Sequence, residues 1–178
     1  SIAGTVFSDG KPRFIQINVG SWDNHNNIYT GALNASNAAS LGRQFDGGLG
    51  TLIEDLKSEG LFDSTLILAL GEFGRTTGNL NTTSGRDHFL QTAVFMAGAG
   101  IRGGRAIGTS DAQGRSTAEP GWSLGRDIRS EDIEATIYSA LGIDWTKVRY
   151  DYPAGRGFEY VPRVNNEEFY FPIHELWG

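Results

Sequence analysis

The sequence has no cysteine, a single methionine, and 3 lysines against 12 arginines. The missing cysteine excludes disulfides and thiolate metal sites, so any metal must be held by histidine and carboxylate. No apolar run approaches the ~20 residues of a membrane-spanning helix, and no signal peptide is visible. Net charge is −6, which argues against general binding to nucleic acid or to an anionic membrane surface. The cationic side chains that remain are mostly arginine, whose planar fork suits a bidentate grip on phosphate, sulfate or carboxylate. Genomic base composition would produce the same skew.

Present in quantity are glycine, at 25 residues, and a hydrophobic share of 39% in a chain of 178 residues. That length can bury a sizeable core, and the glycine content predicts many loops. The chain opens on Ser1 with little before its first apolar segment, which suggests a processed piece or a part of a longer protein. A turn signal at Asp9-Gly10-Lys11-Pro12 precedes residues 13–19 (RFIQINV), whose alternation predicts a strand. From Leu41 the period becomes helical, with Leu41, Phe45, Leu49, Leu52, Ile53 and Leu56 on one face and a stop at Glu59-Gly60. Residues 65–70 (TLILAL) form a continuous apolar run, which predicts a strand buried on both faces. Strand, helix and strand together predict a right-handed parallel crossover. Residues 92–97 (TAVFMA) predict a further strand, and the connection to it carries no helical period, so it should return antiparallel to 65–70. A short strand is expected at 105–108, and Ser130-Glu131-Asp132 reads as the start of a second helix, with Ile133, Ile137, Ala140 and Leu141 inward and Gly142 as its stop.

The last 29 residues hold eight aromatics and three prolines without a period. Such a segment, 150–178, either wraps the surface of its own domain or docks on a partner.

The chemistry concentrates where these segments converge. The end of the first strand, the end of 65–70 and the start of 92–97 share one sheet edge in this topology, the place where open α/β sheets hold ligands. Asp23 and His25 stand two apart, on one side of an extended chain, and together can ligate Zn²⁺ or Mn²⁺. Glu72 directly follows an apolar strand and needs a partner or a cation. Arg75 either holds a substrate oxyanion or pairs with Glu72. Asp87 and His88 are a ligand pair, or His88 ligates while Asp87 orients it. Each alone has a plain structural alternative: a hydrogen-bonded turn at 23–25, a loop held by Asp87. Trp22 reads as core or pocket wall, and His174 as structural.

Three motifs carry a resemblance. Ser21-Trp22-Asp23-Asn24-His25, Gly71-Glu72-Phe73-Gly74-Arg75-Thr76 and Gly85-Arg86-Asp87-His88 resemble those of an uncharacterised bacterial sulfatase-like family (GWDTH, GEFGRT, GRDH) placed in the alkaline phosphatase superfamily. The likeness covers roughly residues 13–145. It implies an α/β fold of the alkaline phosphatase/sulfatase type: a mostly parallel sheet flanked by helices with one antiparallel strand, the C-terminal portion of a larger domain over 1–149; the extended aromatic tail over 150–178 lies outside the likeness.

It further implies one or two divalent ions (Zn, Mn, Mg or Ca) and hydrolysis of phosphate or sulfate esters. By position Asp23, His25 and His88 would hold one ion and Glu72 a second, and Arg75 or Arg86 would meet the ester. Two departures stand out. Phe73 occupies a position where the superfamily places a ligand, and the region supplying the nucleophile is absent, leaving only Thr76 or Ser84 to be suggested. A missing N-terminal portion or companion chain is therefore expected, and the family likeness implies a periplasmic or cell-envelope location. The alternative is a non-catalytic sulfatase-like subunit that joins a larger assembly through residues 150–178. A sugar-binding module has only Trp22 and the aromatic tail in its favour.

Overall fold

The structure, a computed structural model, describes residues 14–20, 22–29, 37–163 and 169–178. The chain divides into two compact units, Ser1–Gly98 with Ala112–Ser116, and Ala99–Asp111 with Thr117–Gly178. The turn expected at residues 9–12 lies outside the described residues, as do Arg13 and Ser21.

In the first unit the apolar period of residues 41–56 forms helix α1, Ala38–Ser58. Its start is fixed by Asn37, whose side chain accepts a hydrogen bond from the Ser40 amide at 2.9 Å, pairing one of the helix's orphan donors. Its end is closed by Gly60 at φ +66°, with Leu61 N–H donating to the Leu56 carbonyl at 2.8 Å. A single 3-10 turn, Phe62–Ser64, leads into strand β1, Leu66–Ala69. Two two-residue strands follow, β2 (Gly74–Arg75) and β3 (His88–Phe89), and then β4 (Phe95–Gly98).

The antiparallel return is observed: β4 pairs with β1, Leu66 opposite Gly98 and Ala69 opposite Phe95. Leu56 of α1 and Ile67 of β1 are the buried centre of the core, surrounded by Leu49, Leu52, Ile53, Leu61, Phe62 and Ala97. Gly98 is obligatory at the strand end. Its φ is +75°, and a Cβ there would stand 2.1 Å from the Thr65 carbonyl oxygen.

The expected mostly parallel α/β sheet of the alkaline phosphatase/sulfatase type does not form. Among the described residues there are two α-helices, and every sheet is an antiparallel pair of short strands. Residues 14–19 carry no strand, and Phe14 is 73% exposed. An alternating pattern says which side chains would share a face and supplies no partner strand, so the parallel crossover has nothing to close on. The run at 65–70 is likewise not buried on both faces: within β1 only Ile67 is fully inside.

In the second unit β5 (Thr109–Ser110) pairs with β6 (Thr117–Glu119); residues 105–108, where a strand was expected, carry none. Helix α2 spans Ser130–Ala140, and Gly142 at φ +71° follows it. The cap residue is Arg129 rather than Ser130: the Asp132 carboxylate reaches back to accept from the Arg129 amide at 2.8 Å. Asp132 is wholly buried and accepts both Nη atoms of Arg126, at 2.7 and 2.8 Å.

The same carboxylate accepts from the Phe171 amide at 3.0 Å, and Thr136 Oγ1 accepts from the Ile173 amide at 3.0 Å. This part of the aromatic C-terminal segment is thus stitched onto α2 of its own unit. Nearer its start the segment is a hairpin, β7 (Val148–Tyr150) against β8 (Gly157–Glu159), and not a uniformly extended tail. Among the described residues no helix is long and apolar enough to cross a membrane.

Candidate metal centre

The candidate site lies in the first unit, where the segment 22–28 meets the loop between β2 and β3. Backbone hydrogen bonds fasten the two: Asn27 N–H to the Thr83 carbonyl at 2.9 Å, Ile28 N–H to the Ser84 carbonyl at 3.0 Å, and Arg86 N–H to the Asn24 carbonyl at 3.1 Å. Gly85 sits flush against this seam. A Cβ at Gly85 would stand 1.9 Å from the carbonyl carbon of His25, so the backbones approach only because no side chain intervenes. The β2–β3 pairing places Arg75 opposite His88.

Asn81 organises the loop from inside. Its Oδ1 accepts from the amides of Thr83 and Gly85 at 3.1 and 2.8 Å and from the Thr83 hydroxyl at 2.9 Å. Its Nδ2 donates to the His25 carbonyl at 3.0 Å and to Asp87 Oδ1 at 3.1 Å.

These restraints bring Asp23, His25 and His88 together as a group able to hold a metal ion. Asp23 Oδ1 is 2.9 Å from His25 Nε2 and 3.3 Å from His88 Nε2, and the two Nε2 atoms are 3.1 Å apart. Ligands about 2.0–2.2 Å from a tetrahedral Zn²⁺ stand about 3.3–3.6 Å from one another. The observed triangle is marginally tighter and has the donor set that zinc takes.

Asp87 Oδ1 is 2.7 Å from His25 Nδ1, so that nitrogen carries the hydrogen. With Nδ1 as the donor to Asp87, the other ring nitrogen, Nε2, is the one that faces Asp23 and His88. The carboxylate–imidazole pair of Asp87 and His25 is the arrangement that fixes a metal-ligating tautomer.

Hydrogen-bond partners surround the carboxylates. The Arg75 Nη2 donates to Asp23 Oδ1 at 2.8 Å, and its Nη1 donates to the Arg86 carbonyl at 3.2 Å. The Arg75 hydrogen bond, and after it that of His88, holds the Asp23 carboxyl below its ordinary range. Hydrogen bonds from His25 and then Asn81 do the same for Asp87.

Phe73, at the position where a ligand was expected, instead packs its ring on that of His88, 4.1 Å between centroids. The site is open to solvent, with the Asp23 side chain 63% exposed and that of Arg75 20%.

The residues singled out from sequence are therefore distributed as follows. Asp23, His25 and His88 converge, Asp87 orients His25 rather than His88, and Arg75 touches the group. Glu72 stands exposed outside it. Arg86 turns elsewhere, its Nη1 donating to the Thr76 carbonyl and its Nε to the Tyr29 hydroxyl at 3.1 Å. Of the suggested nucleophiles, Thr76 Oγ1 accepts from the Asp87 amide at 3.2 Å, and Ser84 lies in the seam at φ +61°. Trp22 is exposed, with Nε1 donating to the Val19 carbonyl at 2.8 Å. His174 belongs to a 3-10 turn, His174–Leu176, of the second unit. Sequence reasoning missed Asn81 and the packing role of Phe73. The one available signal for Asn81 was its Asn-x-Thr spacing to Thr83, which suits a side-chain-closed turn.

No curated protein and no solved structure matches the chain. Residues 2–166 match the family described as Protein of unknown function (DUF1501). This corrects the sulfatase-like, alkaline phosphatase superfamily assignment. The matching family is one of unknown function, and the short antiparallel pairs do not supply the sheet of that superfamily. Three short motifs are all that the chain shares with the sulfatase-like pattern, whereas the match to the uncharacterised family runs along nearly the whole chain; the chain belongs to the DUF1501 family.

Proposed function

We propose that this protein is a metal-dependent hydrolase of phosphate or sulfate esters, with a single divalent ion held by Asp23, His25 and His88. The observation that carries the reading is the triangle of one carboxylate oxygen and two imidazole nitrogens with edges of 2.9, 3.1 and 3.3 Å. Two imidazoles and a carboxylate favour Zn²⁺ or Mn²⁺ over the all-oxygen preference of Mg²⁺ and Ca²⁺. Three protein ligands leave a coordination position open, as in catalytic rather than structural sites. An ion bound there would polarise an ester oxygen as a Lewis acid.

The chain's own residues supply the rest. Asp87 keeps the His25 Nε2 lone pair directed at the site, Phe73 holds the His88 ring, and the Arg75 guanidinium lies beside the ligands as the group to meet an ester oxyanion. The solvent-open setting suits a bulky or polymeric ester.

The test is turnover of p-nitrophenyl phosphate and p-nitrophenyl sulfate by purified protein loaded with Zn²⁺ or Mn²⁺. Hydrolysis of one of them, lost on chelation and reduced at least ~100-fold in His88→Ala, is expected. Metal-loaded protein that turns over neither ester contradicts the reading.

A second reading, a non-catalytic subunit, draws on the hairpin at 148–159, where Tyr152 is 97% and Tyr150 68% exposed. It predicts that Tyr152→Ser abolishes an association seen with the unaltered chain while leaving metal binding intact.

A further inference from the structure

Arg75 does more in this site than stand near it. Its Nη2 donates to Asp23 Oδ1 at 2.8 Å, the same oxygen that forms one corner of the ligand triangle, and its Nη1 is 3.4 Å from His25 Nε2, a second corner. The guanidinium thus already interacts with two of the three atoms a metal ion would use. Its other tethers lie off the triangle: the Arg86 carbonyl at 3.2 Å, and the Phe73 ring, 5.5 Å from Cζ to centroid. Asp23 is its only carboxylate partner among the described residues.

We propose that a divalent cation and Arg75 exchange on Asp23, so that metal loading frees the guanidinium fork and creates the binding site for a tetrahedral oxyanion. This inference rests on the metal-site reading above and adds an order to it: cation first, anion second.

The physical argument has three parts. A carboxylate oxygen bound to a divalent ion gives up the electron density that made it a strong acceptor, so its bond to Nη2 weakens. The ion and the guanidinium are like charges, and they repel at contact distance. The Arg86 carbonyl at Nη1 and the Phe73 face at Cζ hold the guanidinium in place as this happens, so the freed Nη2 donors and the remaining Nη1 hydrogen stay at the rim of the site. A fork of N–H donors beside a cation is then complementary to two oxygens of phosphate or sulfate. Without the ion, the same fork is occupied by Asp23, and that carboxylate repels an incoming anion.

The experiment is calorimetric and uses the full chain. Inorganic phosphate is titrated into the protein with and without one equivalent of Zn²⁺, and Zn²⁺ is titrated into the unaltered protein and Arg75→Gln. Phosphate should bind at least ~10-fold more tightly to the zinc-loaded protein. Arg75→Gln removes the competitor, so it should bind Zn²⁺ about 3- to 10-fold more tightly while losing at least ~10-fold of the zinc-dependent phosphate affinity.

Zinc affinity that falls in Arg75→Gln, or phosphate affinity indifferent to zinc, overturns the exchange and leaves the metal site standing. Failure of the unaltered protein to bind zinc overturns both. Should Arg75→Gln not fold, the phosphate comparison in the unaltered protein decides the matter by itself.

Discussion

Asp87 Oδ1 lies 2.7 Å from Nδ1 of His25, a residue 62 positions earlier in the chain. This contact decides which nitrogen of His25 is protonated and therefore which one can ligate. A carboxylate in that relation to a ligating imidazole typically contributes 10- to 100-fold in metal affinity. Asp87→Ala is therefore expected to weaken Zn²⁺ binding about 10- to 100-fold without removing a ligand, as read by competition with a chromogenic chelator. Unchanged affinity would mean that the Asp87–His25 contact serves only to hold the loop.

The loop itself depends on Asn81, whose amide pairs with Thr83, Gly85, the His25 carbonyl and Asp87. Asn81→Ala leaves backbone donors of Thr83 and Gly85 without this acceptor, an expected loss of about 1–3 kcal/mol in urea unfolding. Zinc affinity should fall in the same variant, because the positions of His25 and Asp87 are set through Asn81. A variant with unaltered stability and zinc binding would show that the seam between 22–28 and the loop stands without it.

The two depressed carboxyls give the metal-free protein a defined response to acid. Both Asp23 and Asp87 lie below their ordinary value of about 3.8 when folded. The unfolded chain therefore takes up more protons on acidification, so their contribution is present above about pH 3.8 and is lost as pH falls through the lower folded values. Urea midpoints at about pH 5 and about pH 3 should differ more for the unaltered protein than for Asp23→Asn or Asp87→Asn. Equal differences in all three would show that the Arg75 and His25 hydrogen bonds do not persist in solution.

How much of this was legible in the sequence depends on the kind of signal. Helix α1 was, because six apolar side chains at helical spacing leave one face to bury. The antiparallel pairing of β1 with β4 was legible too, since a connection with no crossover helix cannot return parallel. Asp23 with His25, and His88 apart from them, were legible as metal-ligating residue types; their grouping on one ion came only from the sulfatase-like resemblance, which gave Glu72 a second ion, and Glu72 stands apart.

The parallel sheet was misread, because the alternation of residues 13–19 and the apolar run at 65–70 describe faces and not neighbours. The β2–β3 pair is two residues long and leaves no pattern. Asn81 was invisible for a different reason: in a loop full of Asn, Thr and Ser, composition does not say which side chain turns inward.

In the second unit the buried Asp132 carboxylate joins Arg126, the Arg129 amide and the Phe171 amide. Asp132→Ala breaks this ion pair and leaves the Arg129 and Phe171 amides without their acceptor, while Arg126 keeps the Asp127 and Phe169 carbonyls, an expected cost of about 3 kcal/mol. It also removes one of the two hydrogen bonds that tie residues 171–173 to α2, so limited proteolysis should cut there sooner than in the unaltered chain. A loss below about 1 kcal/mol would place this contact among ordinary surface pairs.

The most direct test of the central claim is a zinc titration of the chelator-treated protein, with bound metal counted by elemental analysis. The account predicts one equivalent of tightly held Zn²⁺, with affinity falling at least ~100-fold in each of Asp23→Ala, His25→Ala and His88→Ala. No bound zinc, or zinc held equally well by all three variants, would contradict it.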